Sequence, residues 1–129
     1  MPHSTATAGF KRSWLLAGTA ATLLSVVVLG VAALAMGRPF WVPLNATSHA
    51  LHGPEAGQFA GIDLAHTGVG LAIHVAACFF WAAMAVLLLR LSDRGGPALA
   101  WAAGLATAAL AGVVDYALLP ARLSPGWEL

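Results

Sequence analysis

Three long apolar runs divide the chain, over residues 14–36, 64–89 and 97–119. Each exceeds the ~20 residues that an α-helix needs to cross the hydrocarbon core of a bilayer. Lipid offers backbone amides no partners, so a spanning segment must close its own hydrogen bonds, as a helix or in a closed barrel. A barrel needs short strands of alternating polarity, and the sequence has none. The pattern predicts an all-α fold: a transmembrane helical bundle with three membrane-spanning helices, forming one membrane domain over 1–129 with a loop over 37–63.

The ends of the runs carry helix signals. Asp63 stands where an N-cap is wanted and Arg90 follows the last turn of the second run, so both charges suit the helix dipole. Ser92, Asp93, Arg94, Gly95 and Gly96 have turn composition, Pro97 suits a first helical position, and Pro120 stops the third run. Trp14, Trp41, Trp101, Tyr116 and Trp127 fall near run ends, where amphipathic rings favour the membrane interface.

The loop has a pattern of its own. Asn45 is a good N-cap and Gly53-Pro54 a good stop, so residues 46–52 are expected to form a short interfacial helix. At helical spacing Asn45, Ser48, His49 and His52 share one face, expected to be wet, with Leu44 and Leu51 turned to lipid. Asn45-Ala46-Thr47 also fits the three-residue glycosylation sequon, a weak motif.

Small residues four apart suggest helix packing faces. The third run carries Ala100, Gly104, Ala108 and Gly112, the second Gly68, Ala72 and Ala76, and the first Ala17, Ala21 and Ser25. Such stripes let backbones approach closely in lipid. The first expectation is packing within the bundle; the alternative is a face for a homo-oligomer or a partner membrane subunit.

Composition agrees with a membrane protein. Hydrophobic residues make up 60% and charged residues 9% of the 129, against roughly 25% charged in soluble domains. The net charge of +1 gives nucleic acid no electrostatic footing. Cys78 is the single cysteine, so no intrachain disulfide forms. Lys11, Arg12, Arg90 and Arg94 fall on one side of the predicted spans, Arg38 and Arg122 on the other. The positive-inside bias then places the N-terminus in the cytoplasm and the C-terminus outside. The first run is too long for the apolar core of a typical signal peptide, so it is expected to stay as an anchor.

Candidate chemistry rests on histidines, four of the five lying between positions 45 and 75. His66, Gly70, His74 and Cys78 form one stripe of the second helix. His74 lies ~15 Å below its outer end, and Asp115 ~7 Å below the outer end of the third helix. Side chains lean toward a helix's N-terminus, so His74 and Asp115 lean toward each other. They are the expected intramembrane polar pair, either a structural hydrogen bond or a proton or ion relay. On the outer side His49, His52, Asp63 and His66 form an alternative external metal cluster, lacking a recognised ligand motif. A haem needs facing histidines at one depth, and the first and third helices have none; a haem shared between copies through His74 stays open. No cofactor is predicted. The common nucleophile, phosphate and dinucleotide motifs do not occur, which argues against an enzyme of soluble type.

Three stretches, "PLNATSHALHG", "HTGVGLAIHVAACFFWA" and "VVDYALLPARLSPGWE", together resemble a family of small multi-pass inner-membrane proteins of proteobacteria. The resemblance spans roughly residues 40–128. It rests on Asn45, Ser48, His49, Gly53, His66, His74, Trp81, Asp115, Tyr116, Pro120, Arg122, Pro125, Gly126 and Glu128. It implies a bacterial inner-membrane location and, in that family, a fourth helix beyond the point matching Leu129; it brings no activity. The expected role is structural or accessory to a larger membrane complex, with membrane lipid as one partner. A small transporter or channel component using His74 and Asp115 is the first alternative, and the external metal site is the second.

Overall fold

The structure, a computed structural model, describes residues 2–91 and 96–118, and side chains from Gly9 onward except those of Asp115 and Tyr116. All regular structure among the described residues is helical. Helix α1 covers Pro2–Ala35, α2 Val42–Thr47 and α3 His49–His52. A 3₁₀ turn, Pro54–Gln58, and a π-helical turn, Leu64–Gly68, lead into α4, Val69–Arg90. Helix α5, Pro97–Val113, is prolonged by a π-helical turn, Val114–Leu118.

Two stretches, Gly9–Ala35 and Leu64–Arg90, each of 27 residues, are long and apolar enough to cross a membrane. Helix α5 is apolar but has 17 residues, short of the ~20 of a span. The chain exposes 8536 Å², against about 6,400 Å² for a compact soluble protein of this mass. Leu16, Leu24 and Val28 of α1 are each 60% or more exposed. Exposed apolar surface this extensive marks a membrane or protein contact.

Helices α1 and α4 run antiparallel. The Trp14 indole donates to the Phe79 carbonyl at 2.7 Å and its ring meets the Phe79 ring edge-on. Farther along α1, Ser25 meets His74. At one end the Arg90 guanidinium lies 5.3 Å over the Phe10 ring. Gly18 makes room for the Phe79 ring, which a Cβ there would meet at 2.5 Å. Gly30 does the same for Phe40 at 2.2 Å.

The small-residue stripes of α4 and α5 face outward, whereas that of α1 meets α4 at Ser25. Ala72 and Ala76 are exposed, whereas the stripe carrying Gly70, His74 and Cys78 turns inward. Helix α5 packs on α4 with Ala103 and Thr107 buried. Ala100, Gly104 and Ala108 are exposed, and a Cβ on Gly104 or Gly112 would meet nothing within 4 Å. Among the described residues the 100-104-108 row therefore faces away from α4. A one-residue offset explains it: α5 buries 103 and 107, about 100° around the helix from the 100-104-108 row.

The chain leaves α1 by a tight reversal. Gly37 takes φ 73, its amide donates to Leu34 at 3.0 Å and the Arg38 amide to Ala33 at 2.9 Å. These are the paired bonds of a Schellman motif, and a side chain at Gly37 would be strained there. The reversal sends α2 back against α4, so residues 37–63 fold over one end of the helix pair as a cap.

Candidate functional site

The cap is built on Asn45. The sequence reading gave this residue to an N-cap and a wet face, as it did Ser48. In the structure α2 begins three residues earlier, with Pro43 in its first turn, so Asn45 stands inside the helix. Both Asn45 and Ser48 are 0% exposed. The helix predicted over 46–52 is instead two short ones broken at Ser48, whose hydroxyl donates to the Asn45 carbonyl at 2.6 Å. Burial reverses the expected orientation because the return of α2 onto α4 puts its polar face inward.

Once buried, Asn45 satisfies its whole amide. Its Nδ2 donates to the carbonyls of Phe59 at 2.8 Å and Gly61 at 2.9 Å. Its Oδ1 accepts from the Thr67 hydroxyl at 2.5 Å. One side chain thereby joins α2, the extended segment 59–61, and the π-helical turn that leads into α4. Gly70 admits the contact: a Cβ there would lie 1.7 Å from the Leu44 carbonyl oxygen. Trp41 and Arg38 fasten the rim, the indole donating to Ala60 at 2.8 Å and the guanidinium to the Gly57 carbonyl.

Asp63 caps the helix as expected. Its Oδ1 accepts from the His66 amide at 2.6 Å, and its own amide donates to the Thr67 hydroxyl at 3.3 Å. The His66 Nδ1 lies 3.0 Å from Oδ2, so that nitrogen carries the hydrogen. The hydrogen bond from the His66 amide holds the Asp63 carboxyl below its ordinary range against the opposing desolvation, and the His66 imidazole adds a smaller pull in the same direction. The His66 ring lies between two others, His52 at 4.2 Å and Phe59 at 4.2 Å, both nearly parallel to it. The His52 Nε2 donates to the Ala65 carbonyl at 2.7 Å.

The external cluster of His49, His52, Asp63 and His66 is therefore brought together only in part. His52, His66 and Asp63 are neighbours, while the His49 Nδ1 turns back to the Ala46 carbonyl at 2.9 Å. Stacked imidazoles present faces to one another, whereas ligands must aim ring lone pairs at one point. Among the described residues no three of His, Cys, Asp or Glu are placed to hold a metal ion.

A second polar group lies within the helix pair. The His74 Nε2 is 2.7 Å from the Ser25 hydroxyl and 3.6 Å from the Cys78 sulfur. The Ser25 hydroxyl donates to the Ala21 carbonyl at 2.6 Å. With the hydroxyl hydrogen on Ala21, the His74 tautomer protonated at Nε2 donates to Ser25; in the other tautomer Nε2 accepts the hydroxyl hydrogen instead. The side chain of Asp115, the expected partner, lies outside the described residues; among the described residues His74 meets Ser25 of α1. Three participants were missed: Thr67, Phe59 and Ser25. Thr67 had a signal, its place four residues after a capping aspartate. Ser25 stood in the sequence only as a small residue of a weak stripe, and Phe59 had no signal at all.

Comparison of the chain with protein-family models, with curated proteins and with solved structures finds no match in any of the three.

Proposed function

We propose that the chain is a small integral protein of the bacterial inner membrane, with three spans, serving a structural or accessory role beside a larger membrane complex. One observation carries the role: the polar side chains close on one another and on backbone carbonyls. Among the described residues His74 bonds Ser25, whose hydroxyl is in turn tied to the Ala21 carbonyl of its own helix. Asn45 likewise ends on two carbonyls and Thr67. These bonds fasten elements together, as interhelical polar contacts do in lipid. The location is supported by the two apolar helices and by the resemblance of the loop and helix motifs to inner-membrane proteins of proteobacteria. The orientation is supported by Lys11, Arg12 and Arg90 lying at one end of the antiparallel pair, opposite the cap.

Extraction in mild detergent tests this reading. A stoichiometric membrane partner, found by mass spectrometry, is the expected result; a chain that purifies alone and conducts ions in liposomes would overturn it. A relay through His74 and Asp115 remains the second reading, favoured by a histidine bonded inside an apolar helix pair. It requires pH-dependent flux in liposomes that His74→Ala or Asp115→Ala abolishes, and flux indifferent to both changes would sink it.

A further inference from the structure

His74 and Cys78 stand one turn apart on the face of α4 that turns toward α1. The imidazole Nε2 and the thiol sulfur are 3.6 Å apart, and they lie 2.7 Å and 3.8 Å from the Ser25 hydroxyl. The bond to Ser25 accounts for the histidine. It does not account for the thiol, which is a weak hydrogen-bond partner in either direction. An imidazole nitrogen and a thiolate sulfur are, however, the donor pair that soft metal ions take. Their separation suits a single ion: bonds of about 2.0 Å to nitrogen and about 2.3 Å to sulfur span 3.6 Å when they meet at about 115°. In the cap, by contrast, the neighbouring imidazoles of His52 and His66 meet face to face.

Charge narrows the choice of ion. Both residues lie within Leu64–Arg90, a stretch long and apolar enough to cross a membrane, with no Asp, Glu, Lys or Arg between residues 64 and 89. A net charge left in such a place is costly. A thiolate and a neutral imidazole carry one negative charge between them. A monovalent ion cancels it, whereas a divalent ion leaves a positive charge over. The soft monovalent ion that thiolate ligands select is copper(I).

We propose that the His74 Nε2 and the Cys78 sulfur bind one copper(I) ion between α1 and α4. As the ion enters, the Cys78 thiol releases its proton to water and a sulfur–copper bond forms. The His74 nitrogen gives its lone pair to the ion, its hydrogen standing on Nδ1. No electron moves, and the copper stays copper(I). Ser25 keeps its hydrogen on the Ala21 carbonyl. The choice of a monovalent ion rests on the membrane reading above.

The test is an anaerobic titration of the full chain in mild detergent with copper(I), in competition with a chromophoric copper(I) chelator. One equivalent should be retained, and X-ray absorption at the copper edge should show one sulfur and at least one nitrogen bound. Cys78→Ser and His74→Ala should each lose the equivalent, while His52→Ala with His66→Ala, in the cap, should keep it. No retained copper, or retention that survives either Cys78→Ser or His74→Ala, overturns the proposal. So does displacement of the copper by equimolar zinc. If a variant loses its helical circular dichroism, the absorption spectrum of the unaltered chain decides. Cys78 is the single cysteine, so copper bound to nitrogen and oxygen alone lies elsewhere and overturns the proposal. Alkaline carbonate extraction separates the two readings. A chain washed from the membrane defeats the membrane reading, and an embedded chain that binds no copper(I) defeats this proposal alone.

Discussion

The cap and α5 are held by different physics. In the cap, Asn45, Ser48, Asp63, Thr67, Trp41 and Arg38 each spend polar atoms on a partner in another turn or element. In α5 the described side-chain hydrogen bond is that of Thr107, which returns to its own helix at Ala103. Directional bonds define one arrangement of the cap, because a buried group left unpaired costs more than a made bond gains. Small residues define the seat of α5 only by shape. Gly70 and Gly104 condense the contrast: the first lies under the Leu44 carbonyl, the second faces open space.

The largest expected effect is that of Gly70→Ala. The added carbon would fall 1.7 Å from a backbone oxygen, so α2 must lift from α4, at a cost of about 3 kcal/mol. Thermal unfolding in detergent and proteolysis of the loop should both report it, and an unchanged cap would break the comparison. Asn45→Ala comes next. It strands the carbonyls of Phe59 and Gly61 and the Thr67 hydroxyl, costing about 2 kcal/mol. Hydrogen exchange over residues 56–68 should quicken while exchange within α5 stays as it was.

Acid supplies a smaller, graded perturbation. The Asp63 carboxyl titrates below its ordinary 3.8 when folded. Its contribution is therefore complete above that pH and is lost as the pH falls through the lower folded value. Protection of the His66 amide should fall in that window, and Asp63→Asn should lower it at neutral pH while flattening the pH dependence. The least effect is expected from Gly104→Ala, which meets nothing within 4 Å. Removing a helix-interior glycine should stabilise α5 by less than about 1 kcal/mol. A loss of stability instead would mean that this face is packed.

The helices were legible because their causes are local. Apolar run length, the Asp63 cap and Pro97 as an initiator can all be read without knowing what lies opposite. The polar positions were legible as a set and misjudged in orientation. Asn45 and Ser48 were placed on a wet face because helical spacing shows which residues share a side and not which side is covered. The reversal at Gly37 decides that, and it depends on packing between α2 and α4. His74 stood out correctly as a polar residue in an apolar helix. Its contact with Ser25 could not be read from depth alone, because depth does not say that a small residue of α1 stands opposite. The stripe of Ala100, Gly104, Ala108 and Gly112 illustrates the same limit: spacing identifies a face, and only the neighbour shows whether the fold uses it.

The bonds of Asn45 also impose an order on assembly. Its partners Phe59, Gly61 and Thr67 all lie after it in the chain, and the glycine that seats its helix is Gly70. During synthesis α1 and α2 emerge before any of these exist. The cap therefore stays open until Gly70 itself has been made, and residues 37–69 must wait as an unclosed loop held only by α1.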